Sequence, residues 1–272
     1  MVRKTTLILK LGGSIVTRKD AKLVYIRRKL IHQVGGVLKR YLDQSSTQLI
    51  LLHGAGGRGH RLAQQYGLSL GVRGNNKKRS GALLSQKVNQ ELNTIVVEIL
   101  NRSGLATTAI YPPSIIRQKD GYLRRINLAP VRVALAQGLT PVLYGDMVPD
   151  DTLELSICSA DASSAYLTKA FEAKRLLFAT DVDGIFTDDP HRSEDARLIR
   201  SIDLESLISG PIKLYPSHSR DVTAGMLGKI QTVAAILKGS QTHEVVVFNG
   251  LKPARYGRLL RGLPVIATKI RR

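Results

Sequence analysis

Residues 48–60 read QLILLHGAGGRGH, which joins a continuous apolar run at 48–53 to a turn that contains four glycines. An uninterrupted apolar run of this length predicts a strand that is buried on both faces, as in a parallel sheet. The next segment, RLAQQYGL at 61–68, has the spacing of a helix. A buried strand, a glycine-rich turn and a helix in this order form the repeating unit of parallel α/β sheets.

The same order of elements extends over the rest of the chain. A strand at Thr5–Leu11 ends in Gly12-Gly13-Ser14, and a hairpin at 115–125 turns at Asp120-Gly121. Further strands are predicted at 105–111, 139–146, 174–179, 244–248 and 264–268, a turn at 149–151, and helices at 24–42, 80–101, 128–137, 161–172, 225–238 and 253–260. We therefore predict an α/β fold, a three-layer αβα sandwich with a central mostly parallel sheet, in one domain that spans 1–272.

Composition excludes several classes of protein. With 43% hydrophobic residues among 272, the chain is too apolar to be disordered, and it has no apolar run near the ~20 residues that span a bilayer. The basic and then apolar N-terminus is too short for a secretion signal and contains Lys10. The single cysteine, Cys158, excludes an internal disulfide and predicts a reducing, cytoplasmic location.

The charge is strongly positive: 41 Lys and Arg against 21 Asp and Glu give a net charge of +20. Segments 44–90 and 252–272 contain no acidic residue. Such a balance is typical of proteins that bind nucleic acid or smaller polyanions. Four Phe, nine Tyr and no Trp leave few platforms for base stacking, and no zinc-finger or RNA-recognition motif is present. We therefore favour small phosphate substrates, and a basic nucleic-acid- or anion-binding module stays the alternative.

Two glycine turns, KLGGS at 10–14 and HGAGGRGH at 53–60, are candidate phosphate sites. Backbone N–H groups in such turns approach phosphate oxygens, and a following helix adds partial positive charge. Neither turn has the P-loop spacing or the dinucleotide-binding spacing, and each alone is a weak signal.

Five motifs together carry a specific resemblance over nearly the whole chain. They are KLGGS at 10–14, HGAGGRGH at 53–60, PVLYGDMVPD at 141–150 with SICSAD at 156–161, TDVDGIFTDDP at 180–190 and DVTAGMLGKI at 221–230. In content and order they resemble the motifs of the amino acid kinase family, and most closely those of its members that phosphorylate isopentenyl phosphate. Small departures occur at Ala55, Arg58, Ala160, Ala162 and Ala224. They bear on the identity and the affinity of the acceptor more than on the reaction class, because every charged candidate for phosphoryl transfer is kept.

The resemblance implies ATP as the phosphate donor and a role for particular residues. Residues implied in catalysis are Lys10, Lys19, His60 and Lys229. Those implied in ATP binding are Lys10, Gly12, Gly13, Ser14, Gly56, Asp181, Asp183, Gly225 and Lys229, and those implied in acceptor binding are Ala55, Gly56, Gly59, His60, Asp146 and Ala160. Mg²⁺ would enter with ATP, held through the nucleotide phosphates and not by a protein cage.

Physical arguments support some of these roles and leave others open. Lys10 interrupts an apolar strand, and a buried lysine is rare without a partner. Lys229 lies at a predicted helix start, where a cation is unfavourable unless an anion is bound. By composition alone Lys19 is a solvated charge, Asp161 is a helix N-cap and Asp183 caps a turn. His53 is predicted to be a structural turn residue.

The expected reaction is phosphorylation of isopentenyl phosphate to isopentenyl diphosphate, with a phosphonate kinase of the fosfomycin-kinase type as the alternative within the family. By resemblance, 1–170 form the acceptor lobe, 171–272 form the nucleotide lobe, and the protein is a homodimer. Residues 71–101 would cover the acceptor's apolar tail. Within them we assign Ala82, Leu83, Leu84 and Val88 to the core on spacing.

Overall fold

The computed structural model describes residues 4–19, 24–190, 193–204, 207, 225–240, 242 and 244–271. The strands are β1 (Thr5–Leu11), β2 (Thr17–Lys19), β3 (Val24–Ile26), β4 (Thr47–His53), β5 (Thr107–Ala109), β6 (Ile116–Lys119), β7 (Tyr122–Ile126), β8 (Thr140–Tyr144), β9 (Asp146–Asp150), β10 (Glu154–Cys158), β11 (Arg175–Thr180), β12 (Ile185–Phe186), β13 (Leu198–Ile199), β14 (Ser201–Asp203), β15 (Glu244–Asn249) and β16 (Ala267–Arg271). The helices are α1 (Gly13–Val16), α2 (Arg28–Asp43), α3 (Gly56–Gln65), α4 (Asn76–Arg102), α5 (Pro112–Ile115), α6 (Ala129–Ala136), α7 (Ala160–Ala170), α8 (Gly225–Leu237) and α9 (Pro253–Leu260), and a 3₁₀ turn covers Leu68–Leu70.

The predicted fold class is confirmed. The main sheet has eight strands in the order β14-β16-β15-β11-β1-β4-β8-β5. Neighbours from β15 to β5 are all parallel, and β16 runs antiparallel to β15. Chain order reverses at β1, which lies between β4 and β11. Open α/β sheets bind ligands at such a reversal, beyond the carboxyl ends of the strands.

Helices cover both faces of this sheet, as the continuous apolar strands require. Leu7, Leu9 and Leu11 of β1 pack in a cluster with α2, α4 and α9. Ile8, from the opposite face of β1, packs with α6, α7 and α8. Alternate residues of one strand thus reach two separate cores. None of the described helices is both long and apolar enough to cross a bilayer.

A second sheet, in the order β10-β9-β6-β7, lies beside the main one. Its β6–β7 hairpin confirms the predicted turn, with positive φ at Asp120 and Gly121. The antiparallel pair β9–β10 was missed, because 149–151 was assigned to a turn and 154–158 to no element. Asp150 explains the pair: its carboxylate accepts hydrogen bonds from the N–H groups of Thr152 and Leu153 and from the Ser156 hydroxyl.

Other boundaries differ from the predictions for local reasons. The helix predicted from residue 24 begins at Arg28, because 24–26 pair with β2 as a strand. The helix predicted from 61 begins at Gly56, inside the glycine turn. The assignment of Leu83 and Leu84 to the core is wrong, since they are 55% and 41% exposed, while Ala82 and Val88 are buried.

Candidate active site

The two glycine turns lie against each other because β1 and β4 are adjacent and parallel, with Leu11 the register partner of His53. The N–H of Gly54 donates to the carbonyl of Leu11 at 3.0 Å. A Cβ added to Gly54 would lie only 2.8 Å from the amide nitrogen of Gly13. Close backbone contact of this kind excludes a side chain, so the glycines bring two predicted phosphate turns into one place.

Gly56 needs its glycine for backbone conformation as well as for space. Its φ is +67°, and an added Cβ would lie 2.9 Å from Cγ2 of Thr17. The Thr17 hydroxyl accepts a hydrogen bond from the N–H of Gly57 at 3.1 Å. The start of α3 is therefore fixed against the segment that follows the first glycine turn.

Lys10 is buried, as predicted, and its partner is Asp161. The Lys10 ammonium lies 2.8 Å from Oδ1 of Asp161, and the two side chains are 9% and 8% exposed. The interpretation of Asp161 as an N-cap is wrong: Ser159 caps α7, and its side chain accepts from the N–H of Ala162. Asp161 instead compensates the charge of Lys10 where both face the cavity described below.

A cavity of about 660 Å³, including its mouth, opens beyond β1, β4 and β8. Its lining residues are Lys10, Gly13, Gly54, Ala55, Gly59, His60, Ala63, Ser85, Asn89, Gly145, Asp146, Met147, Ile157, Cys158, Ser159, Ala160 and Asp161. One end carries Lys10, His60 and the glycine turns. The other carries Ala63, Met147 and Ile157, which belong to a separate small core. The cavity thus has a polar end, with the Lys10–Asp161 ion pair and several hydrogen-bond donors, and an apolar end.

His60 lies on the first turns of α3, where it is half-buried. Its Nε2 would be 3.8 Å from a Cβ placed on Gly13, so the imidazole reaches the other glycine turn. His53, by contrast, is structural as predicted. Its ring is buried between a hydrogen bond to the carbonyl of Gly54 and one to Asn93, and burial lowers its pKa, opposed by these two contacts.

Asp146 follows β8 and is 2% exposed. Its Oδ1 accepts hydrogen bonds from Nδ2 of Asn89 and from the N–H of Met147, both at 2.9 Å. Burial raises the pKa of Asp146 to about 7, although these two hydrogen bonds act in the opposite direction. This carboxyl group therefore titrates close to neutral pH.

Asn89 and Ser85 are cavity residues that sequence reasoning missed. They lie on α4 with Asn93, at intervals of four residues, and all three are buried. Polar residues repeating on the buried face of a long helix are the signal that identifies them, because buried amides require partners. Their partners are Asp146 for Asn89 and His53 for Asn93.

Most of the other residues predicted to bind the acceptor line the cavity, and one lies behind its wall. Ala55, Gly59, Asp146 and Ala160 line the cavity, whereas Gly56 supports it from behind. Gly12, which was predicted to bind ATP, does not offer its N–H to a phosphate, because this N–H donates to the carbonyl of Ala179 at 2.8 Å. Its role in the structure is to join the first turn to β11.

The predicted nucleotide residues follow β11, on the other side of β1. Asp181 is exposed, and Asp183 forms an ion pair with Arg255 of α9 at 2.6 Å. Burial raises the pKa of Asp183, but Arg255, Asn249 and Lys252 act together in the opposite direction, and the pKa is lowered overall. Lys19 ends β2 and Lys229 lies in the first turns of α8, and their side chains lie outside the described part.

Comparison with known proteins gives consistent matches. A sequence model of the amino acid kinase family matches residues 5–249. The chain is 32% identical to isopentenyl phosphate kinase of Methanothermobacter thermautotrophicus, over 97% of this chain and 98% of that protein. It is 30% identical to isopentenyl phosphate kinase of Methanocaldococcus jannaschii, over 94% and 95%. A solved structure of an isopentenyl phosphate kinase superposes with a TM-score of 0.81 at 29% identity, covering 97% of this chain and 100% of that one.

Proposed function

This chain belongs to the amino acid kinase family, and on that premise we propose that it transfers a phosphoryl group from ATP to isopentenyl phosphate, giving isopentenyl diphosphate. The observation that carries the proposal is the two-ended cavity. Lys10, His60 and the glycine turns suit a phosphate group, and Ala63, Met147 and Ile157 suit a short hydrocarbon tail. The names of the two relatives described above support the same acceptor.

Phosphoryl transfer to this acceptor requires that the two substrates be positioned and that their negative charges be compensated. A phosphate monoester has a second pKa near 6, so at neutral pH it is already a dianionic nucleophile and requires no general base. The obstacle is repulsion between the acceptor and the ATP phosphates, which cations and N–H donors reduce. Lys10 is held for this task by Asp161, and the His60 imidazole donates a hydrogen bond to the acceptor phosphate.

Lys19 and Lys229 would complete the compensation of charge during transfer. Lys229 lies within the first turns of α8, where the helix dipole disfavours a cation unless an anion is bound nearby. Lys19 ends the short strand that follows the first glycine turn. We assign both to the transferring phosphoryl group, as the family resemblance implies.

Nucleotide binding is assigned to the lobe at 171–272 together with the first glycine turn. Within it Asp181, at the carboxyl end of β11, and Gly225, at the start of α8, face the nucleotide in this assignment. Gly13, Ser14 and Gly56 would approach its phosphates. Asp183 fixes the turn through Arg255. Mg²⁺ would enter with ATP and be held mainly by the nucleotide phosphates and water, since this ion keeps several waters and binds through phosphate oxygens.

A coupled assay of ADP release tests the function. The acceptors are isopentenyl phosphate, dimethylallyl phosphate, fosfomycin, UMP and glutamate, each varied at saturating ATP. We expect the highest kcat/KM with isopentenyl phosphate. A higher value with fosfomycin would establish the phosphonate kinase instead. No turnover with any acceptor, together with DNA or RNA binding that weakens steeply with salt, would establish a binding module.

A homodimer and a cytoplasmic location are further parts of this proposal. The exposed Leu83 and Leu84 give α4 an apolar patch that a second copy would cover. The buried free thiol of Cys158 suits a reducing compartment. Mass measurement in solution by light scattering tests the dimer, and cell fractionation tests the location.

A further inference from the structure

The two oxygens of the Asp146 carboxyl group have different surroundings. Oδ1 accepts two hydrogen bonds, from Nδ2 of Asn89 and from the N–H of Met147. Oδ2 is buried, yet it has no hydrogen-bond partner of either kind among the described residues. A carboxylate would need donors at both oxygens, whereas a carboxylic acid needs an acceptor for the proton on one of them. Among the described residues Oδ2 meets neither a donor nor an acceptor, so a proton on Oδ2 would need an acceptor that a bound group supplies.

No cation compensates a charge at Asp146 within the described part of the chain. The nearest cavity lysine, Lys10, is committed to Asp161 at 2.8 Å. Asn89 gives its amide N–H to Oδ1, so its own buried Oδ1 is left without a donor. A buried carboxyl group in contact with an amide, and with no cation as partner, is more stable in its neutral form. The raised pKa, about 7, agrees with this surrounding.

Asp146 also lines the same cavity as Lys10, His60 and the glycine turns, to which we assign the acceptor phosphate. An ionised carboxylate there would repel a dianionic phosphate, whereas a neutral acid would attract it. We propose that Asp146 acts as a neutral carboxylic acid whose Oδ2–H donates a hydrogen bond to the phosphate of the acceptor. This inference rests on the phosphate acceptor proposed above. It makes Asp146 a sensor of pH for acceptor binding.

Other titratable groups face Asp146, and they must be distinguished from it. Tyr144 lies two residues before Asp146, at the end of β8, and Cys158 faces it from β10. Tyr111 lies just before α5. Burial raises the pKa of all three groups, so they remain protonated near neutral pH. Lys10 and Asp161 pair with each other. His60 on α3 remains, and a histidine ordinarily titrates near pH 6.5.

The first test is the pH dependence of kcat/KM for isopentenyl phosphate between pH 6 and 9, at saturating ATP. For the wild type we expect a fall of about tenfold per pH unit above the pKa of the carboxyl group, since one proton is lost. The kcat/KM of Asp146→Ala should be low at every pH in this range. Asp146→Asn keeps a neutral N–H donor, so its kcat/KM should be much closer to the wild-type value than that of Asp146→Ala. Its kcat/KM should also show no alkaline fall. His60→Gln should keep the fall.

Two outcomes would overturn the inference. One is an Asp146→Asn variant as inactive as Asp146→Ala at pH 6.5, which would mean that a negative charge is required. The other is an alkaline fall that persists in Asp146→Asn and disappears in His60→Gln, which would assign the titration to the histidine.

The second test uses the protein without substrates and therefore does not depend on the reaction. A carboxyl group whose pKa is raised on folding binds more protons in the native state than in the unfolded state, so stability falls as pH rises from about 4 to about 7. The melting temperature of Asp146→Asn relative to wild type should therefore increase over this range, by about 3 °C or more, and level off above it. Asp151→Asn, at an exposed carboxyl, should show no such trend.

A constant difference in melting temperature between Asp146→Asn and wild type would refute the neutral acid, whatever the kinase assay gives. The expected pH trend together with no turnover of isopentenyl phosphate would leave the neutral carboxyl group in place, refute its hydrogen bond to an acceptor phosphate and reject the proposed acceptor. The two failures are therefore distinguishable.

Discussion

The Lys10–Asp161 ion pair changes what a substitution at Lys10 should do. The sequence alone predicts that Lys10→Ala reduces turnover far more than stability. In the structure, however, removal of Lys10 leaves the buried carboxylate of Asp161 without its cation. Breaking a buried pair in this way costs about 3–5 kcal/mol, whereas replacing both partners by neutral groups costs much less.

We therefore expect Lys10→Met to lower the free energy of unfolding by about 3 kcal/mol and turnover by about a hundredfold or more. The double variant Lys10→Met with Asp161→Asn should regain most of that stability and stay as inactive as the single variant. Urea unfolding and steady-state kinetics of the three proteins measure both quantities. Turnover that returns with stability in the double variant would show that Lys10 is only structural.

His60 distinguishes a phosphate acceptor from other acceptors. A hydrogen bond to a charged group contributes about 1.5–3 kcal/mol, so His60→Ala should lower kcat/KM for isopentenyl phosphate about ten- to a hundredfold. The KM for ATP should change little. His60→Gln, which keeps a neutral donor, should retain part of the activity. Kinetics with each substrate varied in turn gives the answer, and an Ala variant that loses ATP binding but keeps acceptor binding would contradict the assignment.

Individual residues show where sequence reasoning succeeds and where it stops. Lys10 could be identified because a cation inside an apolar strand is unusual in itself. Asp161 could not be assigned, since an acidic residue at a helix start has a local explanation and its partner is 151 residues away in the chain. The same limit applies to Asn89, which meets Asp146 only through the packing of α4 against the strand ends.

At the scale of elements, long apolar strands were predicted and short polar ones were not. β1, β4, β8, β11 and β15 are each buried on both faces, so hydrophobicity alone locates them. β9 and β10 contain aspartate, proline and serine, which favour turns, and they are strands because they pair with each other. The apolar end of the cavity depends on this pair and on segment 71–101, which the sequence predicted would cover the acceptor's tail. Val72 and Ala82 of that segment pack with Ala63 and Met147. The sequence therefore predicted the phosphate turns and one wall of this apolar end, but not the wall that β9 and β10 supply.

The chamber between α3 and the β9–β10 pair gives a prediction about acceptor size. Ala63 is 7% exposed and lines the cavity from α3. We expect Ala63→Leu to fill the apolar end and lower kcat/KM for isopentenyl phosphate at least about tenfold, because overpacking of a filled site costs about 1–3 kcal/mol. The KM for ATP should stay within about twofold of the wild-type value. Steady-state kinetics measures both.

Ala136→Leu is the matched control for Ala63→Leu, since Ala136 is an exposed alanine at the end of α6. It should leave both kinetic constants unchanged. Equal losses for ATP and acceptor in Ala63→Leu would mean that the substitution disturbs the whole site, and would argue against a tail chamber at this position.

At the scale of the molecule, the net charge of +20 is unevenly distributed around the cavity. The acid-free segment 44–90 contains the second glycine turn, His60 and the first half of α4. Val72, in that segment, packs in the same small core as Ala63 and Met147. The basic residues of this segment therefore belong to elements that form the part of the fold in which an anionic substrate would bind, and they would raise its local concentration.

If this charge serves substrate capture, added salt should slow the encounter of enzyme and substrate and leave the rate of the chemical step unchanged. The Debye length falls from about 10 Å at 0.1 M to about 3 Å at 1 M, so kcat/KM for isopentenyl phosphate should fall with added NaCl while kcat stays nearly constant. Neutralising Arg73 and Lys77, which are exposed within the acid-free segment, should flatten this dependence. Neutralising the exposed Arg117 and Arg125 of the β6–β7 hairpin should leave it unchanged. Steering depends on where the charges lie. If neutralising either pair flattened the salt dependence of kcat/KM equally, that dependence would come from net charge alone. If kcat fell with salt as steeply as kcat/KM, the role of the charge in substrate capture would be rejected.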